Sequence, residues 1–162
     1  MLLQRACDGL MSMRDDEGRV LLQDLLANRD LIAEKLQLIR ARAPATVIEF
    51  EKRLRARIES LIAEAGLKIE AVEVIREVAI AAERTDINEE ISRLGGHIEQ
   101  FAQLLSRHEG QPVGRTLDFL SQEMLREANT IASKCNDSEI ARSIVEVKGA
   151  IDRIKEQVQN VE

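Results

Sequence analysis

The chain has 162 residues, a net charge of −6 and an isoelectric point near 5.2. Its composition is 44% apolar and 32% charged, with only 2% aromatic residues. This length and composition allow one domain with a hydrophobic core and exclude a disordered chain. The acidic balance disfavours a protein that merely coats nucleic acid, because neutralising phosphates supplies most of the affinity there. It leaves open an enzyme whose carboxylates hold a divalent cation, since the cation reverses the local charge.

The distribution of apolar residues gives no sign of a membrane protein. No apolar run approaches the roughly 20 residues that cross a bilayer. The first residues contain early acids and a broken apolar stretch, which predicts no signal peptide. Cys7 and Cys135 are isolated in the sequence, as is usual for reduced thiols. We therefore predict a cytoplasmic protein with no membrane partner.

The first part of the chain predicts a long helical hairpin. Residues 1–14 show little periodicity and are interpreted as an incoming segment. Apolar residues then recur at three- and four-residue steps from 15 to about 42 and again from about 45 to 65, which is typical of amphipathic helices. Ala43-Pro44 is predicted to separate the two helices and Gly66 to end the second. We thus expect a long antiparallel hairpin over 15–66.

Residues 67–162 predict a second helical unit. Apolar periodicity indicates helices over about 69–82, 86–105, 115–132 and 137–158, and no strand pattern is found. The chain is therefore predicted to be all-α, with a long helical hairpin followed by a helical bundle and about six helices in total.

One polar stripe lies in the first half of this unit. On a continuous helix, five of its side chains would share an arc of about 80°: Glu83, Asp86, Glu90, Arg93 and His97. Carboxylates with an imidazole suit Mg²⁺ or Mn²⁺, and His97 is the best acid–base candidate because its ring titrates near neutral pH. The same spacing also fits a capping box followed by a solvated charged stripe, with His97 as a partly buried polar residue.

A second polar stripe follows on the next predicted helix. Glu123, Glu127, Thr130 and Lys134 share one face at four- and three-residue steps. Glu123 and Glu127 repel each other at this spacing unless a positive group lies between them. The stripe would therefore suit a divalent metal beside a phosphate, although a solvated face remains the alternative.

Other chemistries lack the residues they need. No serine or cysteine lies in a nucleophile elbow, and the glycines fit neither a phosphate-binding loop nor a dinucleotide fingerprint. With only three phenylalanines and no Trp or Tyr, we expect no aromatic platform for stacking RNA bases. Any contact with RNA is thus predicted to use phosphates, metal and shape.

Several ordered segments together resemble the YicC-like (YicC/YloC) endoribonuclease family. They are AERTDINEE at 82–90, RLGGHIEQF at 93–101, GRTLDFLSQE at 114–123, REANT at 126–130, SK at 133–134 and KEQVQNVE at 155–162. RDDEG at 14–18, with Leu21, is similar to an R-x-x-E-G-x-x-L segment of the family. Family members also carry an N-terminal domain, so this chain resembles their C-terminal helical part. Gly95-Gly96 departs from the family, whose members usually have a Lys and a small polar residue before the His.

The resemblance implies a cytoplasmic bacterial hydrolase that cuts single-stranded or structured RNA internally with Mn²⁺ or Mg²⁺. It also implies a ring-like homo-oligomer such as a hexamer. At the positions that match the family, our hypothesis gives metal coordination to Asp86, Glu90, Glu123 and Glu127 and catalysis to His97, Glu123 and Glu127. His97 would act as an acid–base group or as a metal ligand, and Arg84, Arg126 and Lys134 would bind phosphate. The attacking group is either water activated by the cation or the RNA 2′-hydroxyl. The competing hypothesis is a non-catalytic oligomerisation module of an RNA-processing protein, which the long hairpin and acidic charge favour.

Overall fold

The computed structural model describes residues 2–66, 70–106, 113–159 and 161. These residues form five α-helices and no strand, which confirms the all-α prediction. The described helices number five where about six were expected, because α1 is continuous. The helices are α1 (Leu2–Ala65), α2 (Ala71–Thr85), α3 (Asn88–Leu105), α4 (Gly114–Lys134) and α5 (Ser138–Val158).

The break predicted at Ala43-Pro44 was wrong, and α1 continues through it. Residues 2–14, predicted to belong to an incoming segment, lie in the same helix. A proline inside a helix costs about 3 kcal/mol, but burial before this proline and an ion pair across it support the helix. Ala43 is buried in the core, and the Arg42 guanidinium bonds Glu49 at 3.2 Å, one helical turn beyond Pro44.

The helical hairpin of the structure lies one element later than predicted. It is formed by the last third of α1 and by α2, which contact each other. Gly66 joins them with a φ of +65°, a left-handed conformation that glycine adopts without steric cost. Glu51, Lys52 and Arg55 of α1 face Val74 and Val78 of α2 across this hairpin.

The bundle forms where the middle of α1 packs against α3 and α5, with α4 completing the core. Leu25, Ile32, Leu36 and Ile39 supply the buried face of α1. Because α1 has 64 residues, it is about 95 Å long at 1.5 Å per residue. It therefore extends past the shorter bundle helices, and it is exposed up to Val20 wherever its side chains are described.

An ion pair fixes the junction between α4 and α5 to α1. Asp137 caps α5 by accepting hydrogen bonds from the backbone N–H groups of Glu139 and Ile140, and Arg42 donates to the same carboxylate at 3.0 Å. Burial alone would raise the pKa of Asp137, but these hydrogen bonds and the Arg42 charge outweigh it and lower the pKa below its usual value. Within the described ranges, none of the helices is both long and apolar enough to span a membrane.

Candidate metal centre

The two predicted polar stripes lie against each other between α3 and α4. Three cross-helix pairs define the arrangement: Glu90 with Lys134, Arg93 with Glu127, and His97 with Glu123 and Glu127. Residue numbers rise along α3 as they fall along α4, so the helices are antiparallel. Side chains separated by three or four residues on each helix therefore meet in one polar seam.

His97, Glu123 and Glu127 form the centre of this seam. One potential ligand atom from each residue lies within 4.8 Å of the others. His97 comes from the middle of α3, and the two glutamates are one turn apart on α4. An imidazole nitrogen and two carboxylate oxygens can hold a divalent cation while leaving positions for water or a substrate.

Two buried polar groups at the centre fit a cation. Among the residues that the structure describes, the buried Nδ1 atom of His97 has no hydrogen-bond partner, although buried polar atoms normally have one. Glu127 is only 4% exposed, and its ion pair with Arg93 is long, at 3.8 Å. A buried carboxylate is costly unless a positive charge compensates it. The donor set and the burial thus both suit a metal ion.

Two arginines lie at the rim of the centre. Arg93 also pairs with Glu89 on its own helix, whereas Arg126 lies 3.5 Å from Glu123 and its side chain is 70% exposed. Together with the three candidate ligands, Gly96 and Gln100, they line a cleft of about 470 Å³. This cleft combines two acids, an imidazole and two guanidinium groups, which is a suitable set for a cation and a phosphate ester.

The structure places the other two predicted metal ligands elsewhere in the seam. Glu90 is buried and accepts a hydrogen bond from Lys134 Nζ at 2.7 Å. Asp86 lies just before α3, where its carboxylate accepts a hydrogen bond from the backbone N–H of Asn88 at 2.9 Å. The predicted set of four carboxylates is therefore divided, because the Lys134 ammonium already neutralises Glu90.

The three predicted phosphate-binding residues are also separated. Arg126 lines the cleft, whereas Lys134 bonds Glu90 and the backbone carbonyl of Asp86. Arg84 is exposed in the last turn of α2. Of the three, only Arg126 lies beside the candidate metal ligands.

Sequence analysis gave no role to Gln100 and no phosphate-binding role to Arg93. Both lie one turn or less from His97 along α3, and both line the cleft. Arg93 had been placed on the polar stripe by its spacing, but only the packing of α4 shows that it reaches Glu127.

The two glycines before His97 do not interrupt α3. A Cβ atom at Gly95 would lie 3.5 Å from Arg40 and 3.7 Å from Leu36, so this position faces α1 at ordinary contact distance. A Cβ atom at Gly96 would meet nothing within 4 Å, because this residue faces the open cleft.

The fold and the centre define an all-helical protein with a candidate divalent-cation site between two helices. The family model described as "Endoribonuclease YicC-like, C-terminal" matches residues 39–162, and the chain belongs to this family. It is similar to two proteins named "Probable endoribonuclease YicC". The relative from Clostridioides difficile (strain 630) is 36% identical over 165 residues, covering 100% of this chain and 55% of the relative. The relative from Haemophilus influenzae is 37% identical over 153 residues, covering 94% of this chain and 51% of the relative. The chain thus spans about half the length of these relatives.

Proposed function

We propose that this chain carries the catalytic centre of a metal-dependent endoribonuclease that cuts single-stranded or structured RNA. The observation that carries the proposal is the convergence of His97, Glu123 and Glu127 beside two arginines. The names of the relatives support RNA as the substrate. Cytoplasmic location is part of the proposal, as the family resemblance implies.

His97, Glu123 and Glu127 would hold a Mn²⁺ or Mg²⁺ ion, which would polarise the scissile phosphate and promote attack on it. Arg126, and with it Arg93, would bind the phosphate oxygens through charge-assisted hydrogen bonds. The second nitrogen of His97 would be left to exchange a proton with the attacking or leaving oxygen. Glu90 and Lys134 would hold α3 at a fixed distance from α4, and Asp86 would hold the start of α3.

Cleavage of an internally labelled RNA by the purified chain tests this proposal. With Mn²⁺ we expect internal cuts that EDTA abolishes. Glu127→Gln, Glu123→Gln and His97→Ala should each slow cleavage by about 100-fold or more, because each removes a metal ligand or charge stabilisation. Glu99→Gln is the matched control, since Glu99 is exposed on α3 and lies outside the cleft.

Binding of Mn²⁺ followed by calorimetry supplies a readout independent of cleavage. The three ligand variants should bind the ion at least about tenfold more weakly, and Glu99→Gln should bind it like the wild type. Equal binding and equal cleavage by all four variants would refute the assignment of this centre.

The second candidate function is a non-catalytic oligomerisation module, and the exposed start of α1 favours it. Leu10, Met11, Met13 and Val20 are each 59–61% exposed there, which is typical of helices that associate with another surface. This segment also supports a homo-oligomer, such as a ring, for the catalytic proposal. Light scattering separates the two: assembly without Mn²⁺ binding or cleavage favours the module, whereas binding and cleavage favour the enzyme.

A further inference from the structure

One aromatic side chain of α4, that of Phe119, is exposed to solvent. Phe119 is 59% exposed, whereas Phe101 is fully buried in the core. Exposing a large aromatic ring costs free energy that burial would recover. The expectation of no aromatic platform rested on the count of aromatic residues, and the structure adds that the ring of Phe119 is accessible.

Phe119 belongs to a continuous exposed row on α4, which we call the α4 stripe. At 100° per residue, the members of the row share an arc of about 80° and extend over about 27 Å. The stripe consists of Arg115, Phe119, Gln122, Arg126, Asn129 and Ser133, all of them exposed. All positions of α4 are described, and this arc contains two arginines and no carboxylate. That is a clear departure from the acidic balance of the whole chain.

The α4 stripe adjoins the candidate metal centre. Glu123 and Glu127 lie on the next face of the helix, and Arg126 lines both the metal cleft and a shallow groove of about 550 Å³ along the stripe. Gln122, Asn129 and Ser133 line the same groove. A strand that places a phosphate near the metal ligands can therefore continue along α4.

The side chains of the stripe match the chemistry of an unpaired nucleic-acid strand. An exposed ring stacks on bases, amide side chains bond base edges, and arginines contact phosphates. Asp118 borders the stripe, but it accepts a hydrogen bond from Gln122 Nε2 at 2.8 Å. Gln122 lies three residues after Phe119, on the same face of α4. A duplex would present no free base face to Phe119, so the chemistry favours single strands.

We propose that the α4 stripe binds single-stranded RNA beside the metal cleft, with Phe119 stacked on an unpaired base and Arg115 and Arg126 on phosphates. This inference rests on the proposed function and specifies its substrate: RNA that is unpaired next to the cut.

Tryptophan substitution tests the stacking directly. The chain has no Trp and no Tyr, so the indole of Phe119→Trp would be its only strong fluorophore. In EDTA, a 12-nucleotide unpaired RNA should quench this fluorescence, and the duplex of the same sequence should not. Val145→Trp is the matched control, because Val145 is 68% exposed on α5; its fluorescence should not respond to either RNA.

Affinity measurements with the same labelled RNA give a second readout. Phe119→Ala and Phe119→Leu should weaken binding about tenfold, within the range of one lost base–aromatic stack, and Phe119→Trp should retain it. Arg115→Gln should lower the slope of log affinity against log salt by about 0.7, as expected for one lost phosphate contact. Arg142→Gln removes a positive charge at an exposed position of α5 and serves as the control for the loss of charge.

The proposal would be overturned if the chain did not bind the RNA, or if the fluorescence of Phe119→Trp were not quenched by bound RNA. It would also be overturned if Phe119→Ala bound the RNA with wild-type affinity. A lower molar mass of Phe119→Ala would also overturn it, since the ring would then be buried between copies of the chain. Quenching without cleavage would refute the enzyme and leave the RNA surface standing. Cleavage without quenching would refute the surface and leave the enzyme standing.

Discussion

The ammonium group of Lys134 donates a hydrogen bond to the buried carboxylate of Glu90 across 2.7 Å, between residues 44 positions apart. The Glu90 side chain is 6% exposed and that of Lys134 33%. The pair joins α3 to α4 at one end of the polar seam. His97 lies about two turns away along α3, and Glu127 about two turns away along α4. We therefore expect this charged pair, which lies outside the metal cleft, to help set the distance between the helices at His97 and Glu127.

Removing Lys134 should destabilise the protein strongly. Lys134→Met leaves the Glu90 carboxylate buried without its partner, and we expect a loss of about 3 kcal/mol in the free energy of unfolding. Glu90→Gln combined with Lys134→Met should cost less than Lys134→Met alone, because no buried charge remains. Urea unfolding followed by circular dichroism measures both. Arg57→Met, at an exposed position of α1, should change stability by less than about 0.5 kcal/mol, and a similarly small effect of Lys134→Met would contradict the role of the pair.

The lowered pKa of Asp137 predicts a pH-dependent contribution to stability. A carboxyl group whose pKa is lower in the folded state stabilises the fold above its unfolded pKa of about 3.9. That contribution is lost as the pH falls through the folded pKa. Asp137→Asn keeps a good N-cap but loses the charge interaction with Arg42. The wild type should therefore be more stable than Asp137→Asn at pH 7, and the difference should shrink below about pH 4.

Urea unfolding of both proteins from pH 3 to pH 7 checks this dependence. Asp30→Asn serves as the control, since Asp30 is exposed on α1 and outside this junction. A stability difference between wild type and Asp137→Asn that stays constant over the range would show that the Arg42 pair does not depend on the Asp137 charge.

Replacing Gly96 and Gly114 by alanine should change the stability of the protein in opposite directions. A Cβ atom at Gly96 meets nothing within 4 Å, so Gly96→Ala should stabilise α3 by about 1 kcal/mol through helix propensity. A Cβ atom at Gly114 would lie 2.3 Å from the Val161 carbonyl oxygen, so Gly114→Ala should destabilise the protein by about 1–3 kcal/mol. Thermal unfolding of the two variants compares them directly. Equal shifts of the same sign would contradict the close approach of Val161 to α4.

Replacing Pro44, which lies inside α1, should increase the stability of the protein. Pro44→Ala restores a backbone N–H donor and removes a steric conflict, although it also increases the entropy of the unfolded chain. We expect a net gain of about 1–2 kcal/mol in the free energy of unfolding. Urea unfolding measures it, with Gln37→Ala on the exposed side of the same helix as the control. A loss of stability would mean that α1 relies on the proline.

The helical elements were predictable where one apolar face repeats every three or four residues. The ends of α3 and α5 fell close to the predicted positions, because polar residues start these helices in the sequence itself. Of the apolar residues that recur along α1, the structure buries Leu25, Ile32, Leu36 and Ile39. It leaves Val20, Ile48 and Leu61 49–61% exposed. Those residues have the same periodicity, but α1 is longer than the bundle and no described helix covers them.

The candidate site was predictable as two stripes and not as one centre. Spacing placed His97 on one helix and Glu123 and Glu127 on another, and their meeting depends on the antiparallel packing of α3 and α4. Spacing also placed Glu90 and Lys134 on separate stripes, because it contains no information on charges brought together across helices.

The sequence alone determined that this chain is helical, which faces of its helices are apolar, and which polar side chains share a helix face. These properties follow from local periodicity and residue chemistry. The tertiary structure decided that α1 continues through Pro44, that Lys134 bonds Glu90, and that His97, Glu123 and Glu127 converge. Each of these depends on contacts between residues far apart in the chain, whose free energy outweighs the local preferences that the sequence displays.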